Sequence, residues 1–478
     1  MRRVLESLGP VFSSFGLYLA SRVDLLSGRD CLEFAEIQDT AEPLTPDIVV
    51  AVIQRELGRP PDDLFTSVET TPFESRLLFQ KHYVRLKDGR KATIKIARAA
   101  ETEERLIEDL ELLPLVKFAL GSISTHAAID SAIDDFRFTL SRKIDLTHEA
   151  SGLEALSRYA DTFGILSHVS VEHRLCTQRI LTVERLPGTG LTELLTRCSA
   201  AEAEDLARRL CVVWLRQTLH SNVFPVEMSP ADIVVLPGRQ LGFTGGVFTN
   251  LPEESRSNLW SYLIAAAGDS PNQACALLVR ELKKSEPSSS DSELQQRFRQ
   301  VVPFRDTDWA GDFFADHLFV QWKLAHEHGY LPRQSLPSFF RGLYSVAQLA
   351  RQLSPERDAF AQALEDVRLI TRMEWFKDML GPDQFSRQMN QYAALILELP
   401  QRLDEALTLV AEDRTQMRER HERRGRQNSS AIMVALVLVL GAFVLLVQRA
   451  GVTTWNESLK ALAFVVLGAC VLRVASRA

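Results

Sequence analysis

The stretch His82-Tyr-Val-Arg-Leu-Lys-Asp88-Gly89-Arg-Lys-Ala-Thr-Ile-Lys95-Ile-Ala decides the fold of this chain. Two runs rich in β-branched and aromatic residues flank an Asp-Gly pair, which is a strong short-range signal for a β-hairpin. The sequence therefore predicts a strand, a tight turn at Asp88 and Gly89, and a second strand that carries Lys95 near its end.

Lys95 ends the tetrapeptide Ala92-Thr-Ile-Lys95, which follows the pattern of the strand lysine of protein kinases. That lysine contacts nucleotide phosphates and pairs with a glutamate on the next long helix. A lysine on a strand is more often a solvated charge at a sheet edge. The tetrapeptide alone leaves both interpretations open, and the neighbouring segments have to decide between them.

Segments on both sides of the hairpin resemble the UbiB/AarF family of atypical kinase-like proteins over nearly the whole chain. In chain order they are Leu8-Gly9-Pro10 with Gly16, Ser21 to Leu26, Gln38-Asp39, Glu56 to Pro60 with Leu64-Phe65, Asp145 to Ala150, Arg179 to Gly188, Ala325 to Pro332, and Leu353 to Pro355. The resemblance implies an α+β, protein-kinase-like fold of two lobes, with a small β-rich N-lobe and a helical C-lobe.

Five regions are expected along the chain. They are a helical N-terminal extension at 1–65, the kinase-like N-lobe at 66–190, the helical C-lobe at 191–410, a basic juxtamembrane segment at 411–428 and a transmembrane helical hairpin at 429–478. Apolar residues spaced three and four apart support helices in most of the region after residue 251.

The resemblance also implies a nucleotide site and ATP with Mg²⁺ as its cofactors. Lys95 and Glu149 match the ion pair that holds the phosphates, while Glu184 and Leu186 match the strand end and hinge beside the nucleotide. Arg76 lies in the loop that covers the phosphates in the family.

Two nucleotide-binding motifs of the family are altered in this chain. The lysine and glutamine of the KxGQ motif are replaced by Ser14 and Leu17, so that only Gly16 remains. The alanine-rich loop aligns with Glu74-Ser-Arg76-Leu-Leu, whose bulky side chains keep backbone amides away from a phosphate. Glu74 adds a repulsive charge, which Arg76 can offset.

The catalytic and metal-binding motifs are altered as well. Glu227 stands at the catalytic-loop aspartate and Asp232 at the metal-binding asparagine, and each of these replacements alone preserves a carboxylate that serves as a base or a metal ligand. Thr244 stands at the aspartate of the DFG motif, so a neutral hydroxyl replaces the main metal ligand. Because phosphoryl transfer depends on charge neutralisation by that metal, we expect weak or absent catalysis.

Composition and charge exclude several classes of protein. The 478 residues are 46% hydrophobic and 24% charged, which is enough for a large core, and the net charge of -7 argues against a nucleic-acid-binding protein. Six cysteines occur without paired spacing and are expected to be reduced thiols.

The C-terminal region predicts a membrane anchor. The uncharged run Ala431 to Val447 is long enough for a short span, and the run Ala461 to Leu472 is marginal unless its flanking cations reach the interface. An arginine cluster between Arg418 and Arg426 precedes the first run, which places the kinase-like domain on the cytoplasmic side of an inner membrane. A buried core helix is the alternative for the first run.

Two functions remain open from the sequence. The first is a membrane-anchored pseudokinase that binds or regulates in isoprenoid quinone (ubiquinone) or related lipid metabolism, with isoprenoid lipids, pathway proteins, a second copy or an active paralogue as partners. The second is an active atypical ATPase or kinase that binds Mg-ATP through Glu227, Asp232, Lys95 and Glu149. The quinone link follows from the resemblance alone.

The aromatic residues of the N-terminal extension allow a further hypothesis. Phe12, Phe15, Leu17 and Tyr18 occupy the region of the altered KxGQ motif and could line a groove for lipid. The alternative is that they pack as the apolar face of a core helix.

Overall fold

Helices occupy both ends of the described chain, and a five-stranded sheet lies between them. The computed structural model describes residues 1–98, 108–116, 126–158, 160, 164–221, 223–268, 270–284, 291–300, 313–333 and 335–380. The N-terminal helices are α1 (Arg2–Leu8), α2 (Pro10–Ala20), α3 (Gly28–Ala35), α4 (Pro46–Leu57) and α5 (Pro61–Leu64). Helix α4 begins with Pro46 and ends at Gly58 in the left-handed conformation, a usual pair of start and stop signals.

The sheet contains the predicted hairpin. Its strands are β1 (Phe65–Val68), β2 (Glu74–Ser75), β3 (Phe79–Leu86), β4 (Lys91–Ala97) and β5 (Ile180–Glu184), all antiparallel, in the order β1-β3-β4-β5 with β2 on β3. The amide of Leu86 donates to the carbonyl of Arg90 at 2.9 Å, so the loop has three residues, with Gly89 at φ 88. This register places Lys81 directly opposite Lys95.

The two faces of the sheet have different roles. On one face, Ile94 and Ile96 are buried in a small apolar cluster against Val49, Val52 and Ile53 of α4. Because side chains alternate along a strand, Lys95 must point from the opposite face. The burial of the isoleucines by α4 therefore directs Lys95 to the other face of the sheet, where it meets Glu149.

The remaining elements belong mostly to the helical lobe. They are α6 (His126–Ile144), α7 (Leu146–Arg158), β6 (Thr189–Gly190), α8 (Leu191–Arg197), α9 (Ala200–His220), β7 (Phe224–Glu227), β8 (Ile233–Val235), β9 (Leu241–Phe243), β10 (Val247–Thr249), α10 (Glu253–Ala267), α11 (Pro271–Arg280), β11 (Leu282–Lys284), α12 (Asp291–Gln300), α13 (Phe314–Glu327), β12 (Tyr330–Pro332), α14 (Ser335–Leu353) and α15 (Ala359–Leu380). Short antiparallel pairings join β7 to β10, β8 to both β6 and β9, and β11 to β12.

Close packing in the helical lobe holds β7 in place. Trp214 of α9 is fully buried, and its Nε1 donates to the carbonyl of Pro225 at 3.0 Å. Gly342 of α14 allows this approach, because a Cβ there would lie 2.9 Å from Trp214 Nε1. The start of β7 is thereby attached to the core, and the strand ends at Glu227.

The aromatic residues of α2 are part of the core. Phe12, Phe15 and Tyr18 are 5%, 0% and 4% exposed, and the Tyr18 hydroxyl donates to Asp135 Oδ2 at 2.8 Å. Asp135 also pairs with Arg341 of α14 at 3.4 Å. The hypothesis of a lipid groove at these residues was therefore wrong, because α2 packs against the helical lobe as a core helix.

The C-terminal regions predicted to meet the membrane lie outside the described residues. This holds for the basic segment 411–428 and for both apolar runs, Ala431 to Val447 and Ala461 to Leu472. Residues 1–371 pack as one unit, and of the second unit, 372–478, the structure describes only the end of α15. None of the helices within the described ranges has both the length and the apolar character that crossing a bilayer requires.

Replacing Gly152 with alanine tests how closely α7 packs on β10. An alanine Cβ would lie 2.3 Å from Phe248 Cγ, so we expect the free energy of unfolding to fall by about 1–3 kcal/mol. Gly190→Ala is the matched control, since no atom lies within 4 Å of its added Cβ, and it should change stability by less than about 0.5 kcal/mol. Urea unfolding of the full-length chain measures both variants. Equal free energies of unfolding for Gly152→Ala and Gly190→Ala would contradict the close packing of α7 on β10.

Candidate functional site

The first part of the candidate site is the ion pair between Lys95 and Glu149. Lys95 Nζ lies 2.9 and 2.7 Å from the two carboxylate oxygens of Glu149, and the two residues are 7% and 5% exposed. Lys95 comes from β4 and Glu149 from the first turn of α7, where the helix dipole favours a carboxylate. The structure thus brings together the two residues that the resemblance implied as a pair.

A second buried lysine lies beside this pair. Lys81 of β3 forms ion pairs with Asp232 and, at 2.8 Å, with Glu74. Like charges directly opposite one another on a sheet repel, so Lys81 and Lys95 each require their own carboxylate. Burial alone would lower the pKa of Lys81, but Asp232 and Glu74 outweigh it and hold that pKa well above its usual range.

Asp232 is consequently ionised and neutralised by protein groups. Burial acts to raise the pKa of its carboxyl, whereas the ammonium groups of Lys81 and Lys95 lower it more strongly, so the pKa lies below its usual range. Asp232 reaches this position from a short 3-10 helix, Pro230–Asp232, directly before β8. The predicted metal ligand is therefore bound to a lysine.

Two glycines let the carboxylates approach the chain after β9. A Cβ on Gly245 would lie 2.4 Å from Asp232 Oδ1 and 2.9 Å from Glu149 Oε1. The amide of Gly246, which has φ 142, donates to Glu149 Oε1 at 3.0 Å. These glycines hold the position of the altered DFG motif, and the hydroxyl of Thr244 donates to the backbone carbonyl of Asp232 at 3.2 Å.

Arg76 connects three parts of the structure around this site. Its guanidinium pairs with Glu74, lies 3.1 Å from Asp39 Oδ2 and donates to the Ser229 hydroxyl at 2.7 Å. Asp39 belongs to the segment after α3, and Ser229 to the loop after β7. Arg76 therefore offsets the charge of Glu74, as expected from the sequence, and also joins the sheet to the loop after β7.

Glu227 is likewise paired with a lysine. Lys143 near the end of α6 lies 2.7 Å from Glu227 Oε2. Burial acts to raise the pKa of Glu227, but Lys143 and Arg341 outweigh it, so the pKa lies below its usual range. The predicted base is thus ionised, with its charge already balanced by a neighbouring ammonium group.

The residues predicted for the hinge, Glu184 and Leu186, lie at and just after the end of β5. Glu184 is half-buried, and its amide donates to the carbonyl of Ser170 at 2.9 Å. Leu186 is 8% exposed and packs on β9, where a Cβ on Gly242 would lie 2.1 Å from its Cδ1. Leu186, one of the predicted hinge residues, thus contacts the strand that precedes Thr244.

Phe79 provides an apolar boundary for the lysines. Its ring centroid lies 3.8 Å from Lys95 Nζ and 5.5 Å from Lys81 Nζ, within the range of cation–π contacts. The ring is 7% exposed. It therefore shields both ammonium groups from water, which strengthens their ion pairs.

The residues of this site do not suit Mg²⁺. Hard divalent cations need several oxygen ligands, yet Asp232 is bound by Lys81, and Thr244 uses its hydroxyl for a backbone contact. Within the described parts of the chain, no group of three or more His, Cys, Asp or Glu residues is arranged to hold a metal ion. A metal at Asp232 would have to displace Lys81 from a buried ion pair.

Sequence reasoning missed several residues of the site. Lys81 carries a detectable signal, because a three-residue hairpin loop places it opposite Lys95, whereas a two-residue Asp-Gly turn does not. Lys143 and Ser229 have no comparable local signal. Their roles depend on how α6 and the loop after β7 meet in three dimensions.

Comparisons with known proteins give a matching family and similar curated proteins. The family model described as "ABC1 atypical kinase-like domain" matches residues 36–276. Two curated proteins named "Probable protein kinase UbiB" are similar to the chain. The one from Pseudomonas aeruginosa (strain LESB58) is 24% identical over 453 residues, covering 92% of this chain and 84% of its own length. The one from Shewanella woodyi is 23% identical over 476 residues, covering 95% and 85%.

One solved structure is also similar, that titled "The complex structure of Rv3197-erythromycin from Mycobacterium tuberculosis". It is 17% identical, with a TM-score of 0.45, and the match covers 71% of this chain and 87% of that one.

A double-mutant cycle tests whether Lys81 neutralises Asp232. Lys81→Met leaves the buried carboxylate of Asp232 and the partly buried carboxylate of Glu74 without their shared partner, and we expect it to lower the free energy of unfolding by about 3–5 kcal/mol. In the variant carrying both Lys81→Met and Asp232→Asn, part of this loss should be recovered, with a coupling energy of about 0.5–3 kcal/mol. Urea unfolding of the full-length chain measures the four proteins. Exposed Lys87→Met is the control, and strictly additive losses would show that the pair is not coupled.

Proposed function

Because this chain belongs to the ABC1 atypical kinase-like family, we propose that it acts by binding or regulation and has little or no phosphoryl-transfer activity. The kinase-like fold, with its mixed helix and sheet content, supports this proposal together with the UbiB relatives. The process in which it acts is the metabolism of isoprenoid quinones, with ubiquinone as the leading candidate, or of related lipids. That assignment rests on the family alone.

The proposal rests on one observation, which is the ion pair between Lys81 and Asp232. In a working kinase-like site the metal bridges carboxylates to the β- and γ-phosphates and neutralises the charge that develops during transfer. Here a lysine already neutralises Asp232, and the neutral Thr244 stands where the family has the aspartate that is its main metal ligand. The site therefore lacks the electrostatic arrangement on which the rate depends.

The proposal includes attachment to a membrane. Its support is the sequence of the C-terminal region, with the apolar runs Ala431 to Val447 and Ala461 to Leu472 after an arginine cluster. In this proposal the helical hairpin anchors the chain in the inner membrane, and the kinase-like domain faces the cytoplasm. Its partners are the bilayer, an isoprenoid lipid or pathway protein, and a second copy or an active paralogue.

The alternative function is an active atypical ATPase or kinase. The intact pair of Lys95 with Glu149 favours it, because this pair is required to position nucleotide phosphates in active kinases. In that case Glu227 serves as the base, and Asp232 must exchange Lys81 for Mg²⁺.

Turnover of Mg-ATP separates the two functions. We expect the full-length chain, purified in mild detergent, to release phosphate from Mg-ATP no faster than its Lys95→Ala variant, and Mg-ATP to leave its thermal midpoint unchanged relative to ATP alone. Both are measured on the same preparations, by phosphate release and by differential scanning fluorimetry. Faster phosphate release by the wild-type chain than by Lys95→Ala, together with a thermal midpoint that Mg²⁺ raises, would establish an active ATPase or kinase instead.

The metabolic assignment has its own test. We expect deletion of the gene in its host to lower the isoprenoid quinone content of the membranes, and re-expression of the full chain to restore it. Mass spectrometry of extracted lipids measures both. A quinone content that does not change on deletion would contradict the assignment without affecting the question of turnover.

A further inference from the structure

A chain of three hydrogen bonds runs through Gln80 and His82, which are both 0% exposed. The amide of Leu44 donates to Gln80 Oε1 at 2.9 Å, and Gln80 Nε2 lies 2.8 Å from His82 Nε2. His82 Nδ1 in turn lies 2.8 Å from the carbonyl oxygen of Glu69. The chain therefore joins segment 39–44, which lies between α3 and α4, to the sheet and to the loop after β1.

Backbone groups at both ends fix the direction of every bond in this chain. A carbonyl oxygen only accepts, so His82 Nδ1 carries a proton, and a backbone amide only donates, so Gln80 presents its oxygen to Leu44. The Gln80 amide nitrogen consequently faces His82 Nε2, which must be an unprotonated acceptor. All three bonds can form only when His82 is neutral.

A proton on His82 Nε2 would face the amide nitrogen of Gln80, donor against donor. If the Gln80 amide turns over, its oxygen accepts from the imidazolium, but its nitrogen then faces the amide of Leu44. Because a hydrogen bond to a charged group is the stronger one, the imidazolium takes the oxygen. The amide of Leu44 thereby loses its acceptor, which weakens the attachment of segment 39–44.

The surroundings of His82 favour the neutral ring. Burial lowers the pKa of His82 below its usual range, although the bond to the Glu69 carbonyl acts in the opposite direction. His82 shares its face of the sheet with the apolar residues Val49, Val52 and Ile94. Lys91 and Lys95 of β4 point from the opposite face, and β1 has no titratable residue. The remaining titratable residues of the packed elements are exposed or half-buried, namely Glu42, Asp47, Arg55, Glu56, Cys176 and Glu184, as is the Glu69 side chain.

Segment 39–44 also contacts the loop beside the buried lysines. Asp39 accepts from the Leu77 amide at 3.3 Å and pairs with Arg76 at 3.1 Å. Ala41 donates its amide to the carbonyl of Ser75 at 3.3 Å and accepts from the Ser75 hydroxyl at 2.8 Å. A change at the end of this segment is therefore transmitted to Arg76, which belongs to the candidate site.

We propose that Gln80 and His82 form a proton-sensitive contact that holds segment 39–44 on the sheet while His82 is neutral and releases it when His82 is protonated. Because the pKa of His82 is lower in the folded than in the unfolded chain, the stabilisation by this contact is fully present above about pH 6.5. It is lost as the pH falls from there through the folded-state pKa. The contact responds to protons in the same way whether or not the site transfers phosphoryl groups.

Hydrogen–deuterium exchange of the full-length chain in mild detergent, read by mass spectrometry, tests the proposal. On going from about pH 7.5 to about pH 5.5, we expect the peptide that contains Leu44 to lose protection by about fivefold or more, after correction for the intrinsic effect of pH on exchange. Peptides of α14 should keep their protection and serve as the reference for global unfolding.

Two variants separate the proton from the packing. His82→Gln cannot take up a proton but still offers an oxygen to Gln80, so protection at Leu44 should be equal at both pH values. Gln80→Glu offers carboxylate oxygens to both His82 and Leu44, so protonation of His82 should preserve or increase that protection. His173→Gln is the matched control, because the His173 side chain is 62% exposed, and it should respond to pH as the wild type does.

Each outcome bears on the proton-sensitive contact. Wild-type protection at Leu44 that does not change with pH overturns the proposal, as does an equal loss of protection in α14. A wild-type response retained by His82→Gln assigns the titration to another group and also overturns it. If His82→Gln does not fold, Gln80→Glu decides, because a loss of protection at the lower pH as large as in the wild type contradicts the exchange of acceptors at Gln80.

Discussion

The pairing of Lys81 opposite Lys95 on the central hairpin is the constraint on which the site depends. The two ammonium groups, which Phe79 shields from water, repel each other, and this repulsion is offset only when each group pairs with a carboxylate. Glu149 and Asp232 supply these carboxylates from two different parts of the structure, α7 and the loop before β8. The charge requirement of one hairpin thus holds the sheet against α7 and the loop before β8.

Other features of the site follow from these ion pairs. Gly245 has no side chain where Asp232 and Glu149 approach the backbone, and Arg76 joins Glu74 to Asp39 and Ser229 around the outside. The acidic residues that the sequence assigned to the ion pair, the base and the metal ligand, Glu149, Glu227 and Asp232, each pair with a lysine of the chain.

Much of this arrangement could be predicted from the sequence, for physical reasons that apply locally. The hairpin and the apolar alternation beside Lys95 depend on short-range patterns. The pairing of Lys95 with Glu149 could be predicted because both residues lie in recognisable family motifs. The partners of Asp232 and Glu227 could not be predicted, because Lys81 and Lys143 are ordinary strand and helix lysines until the elements pack. The aromatic residues of α2 also have the same pattern whether they line a groove or fill a core, and only packing against Asp135 and its neighbours decides.

The contacts of α2 have a consequence for the order in which the chain can fold during synthesis. Tyr18 is joined to Asp135, which in turn pairs with Arg341, so contacts of this early helix close over more than half of the chain. Because non-local contacts form only after the intervening chain is available, Phe15 and Tyr18 can meet Phe136 only once α6 has been made, and Asp135 can meet Arg341 only after α14. The burial of this aromatic face is therefore completed in two stages during synthesis, and the folded protein leaves Phe12, Phe15 and Tyr18 no more than 5% exposed.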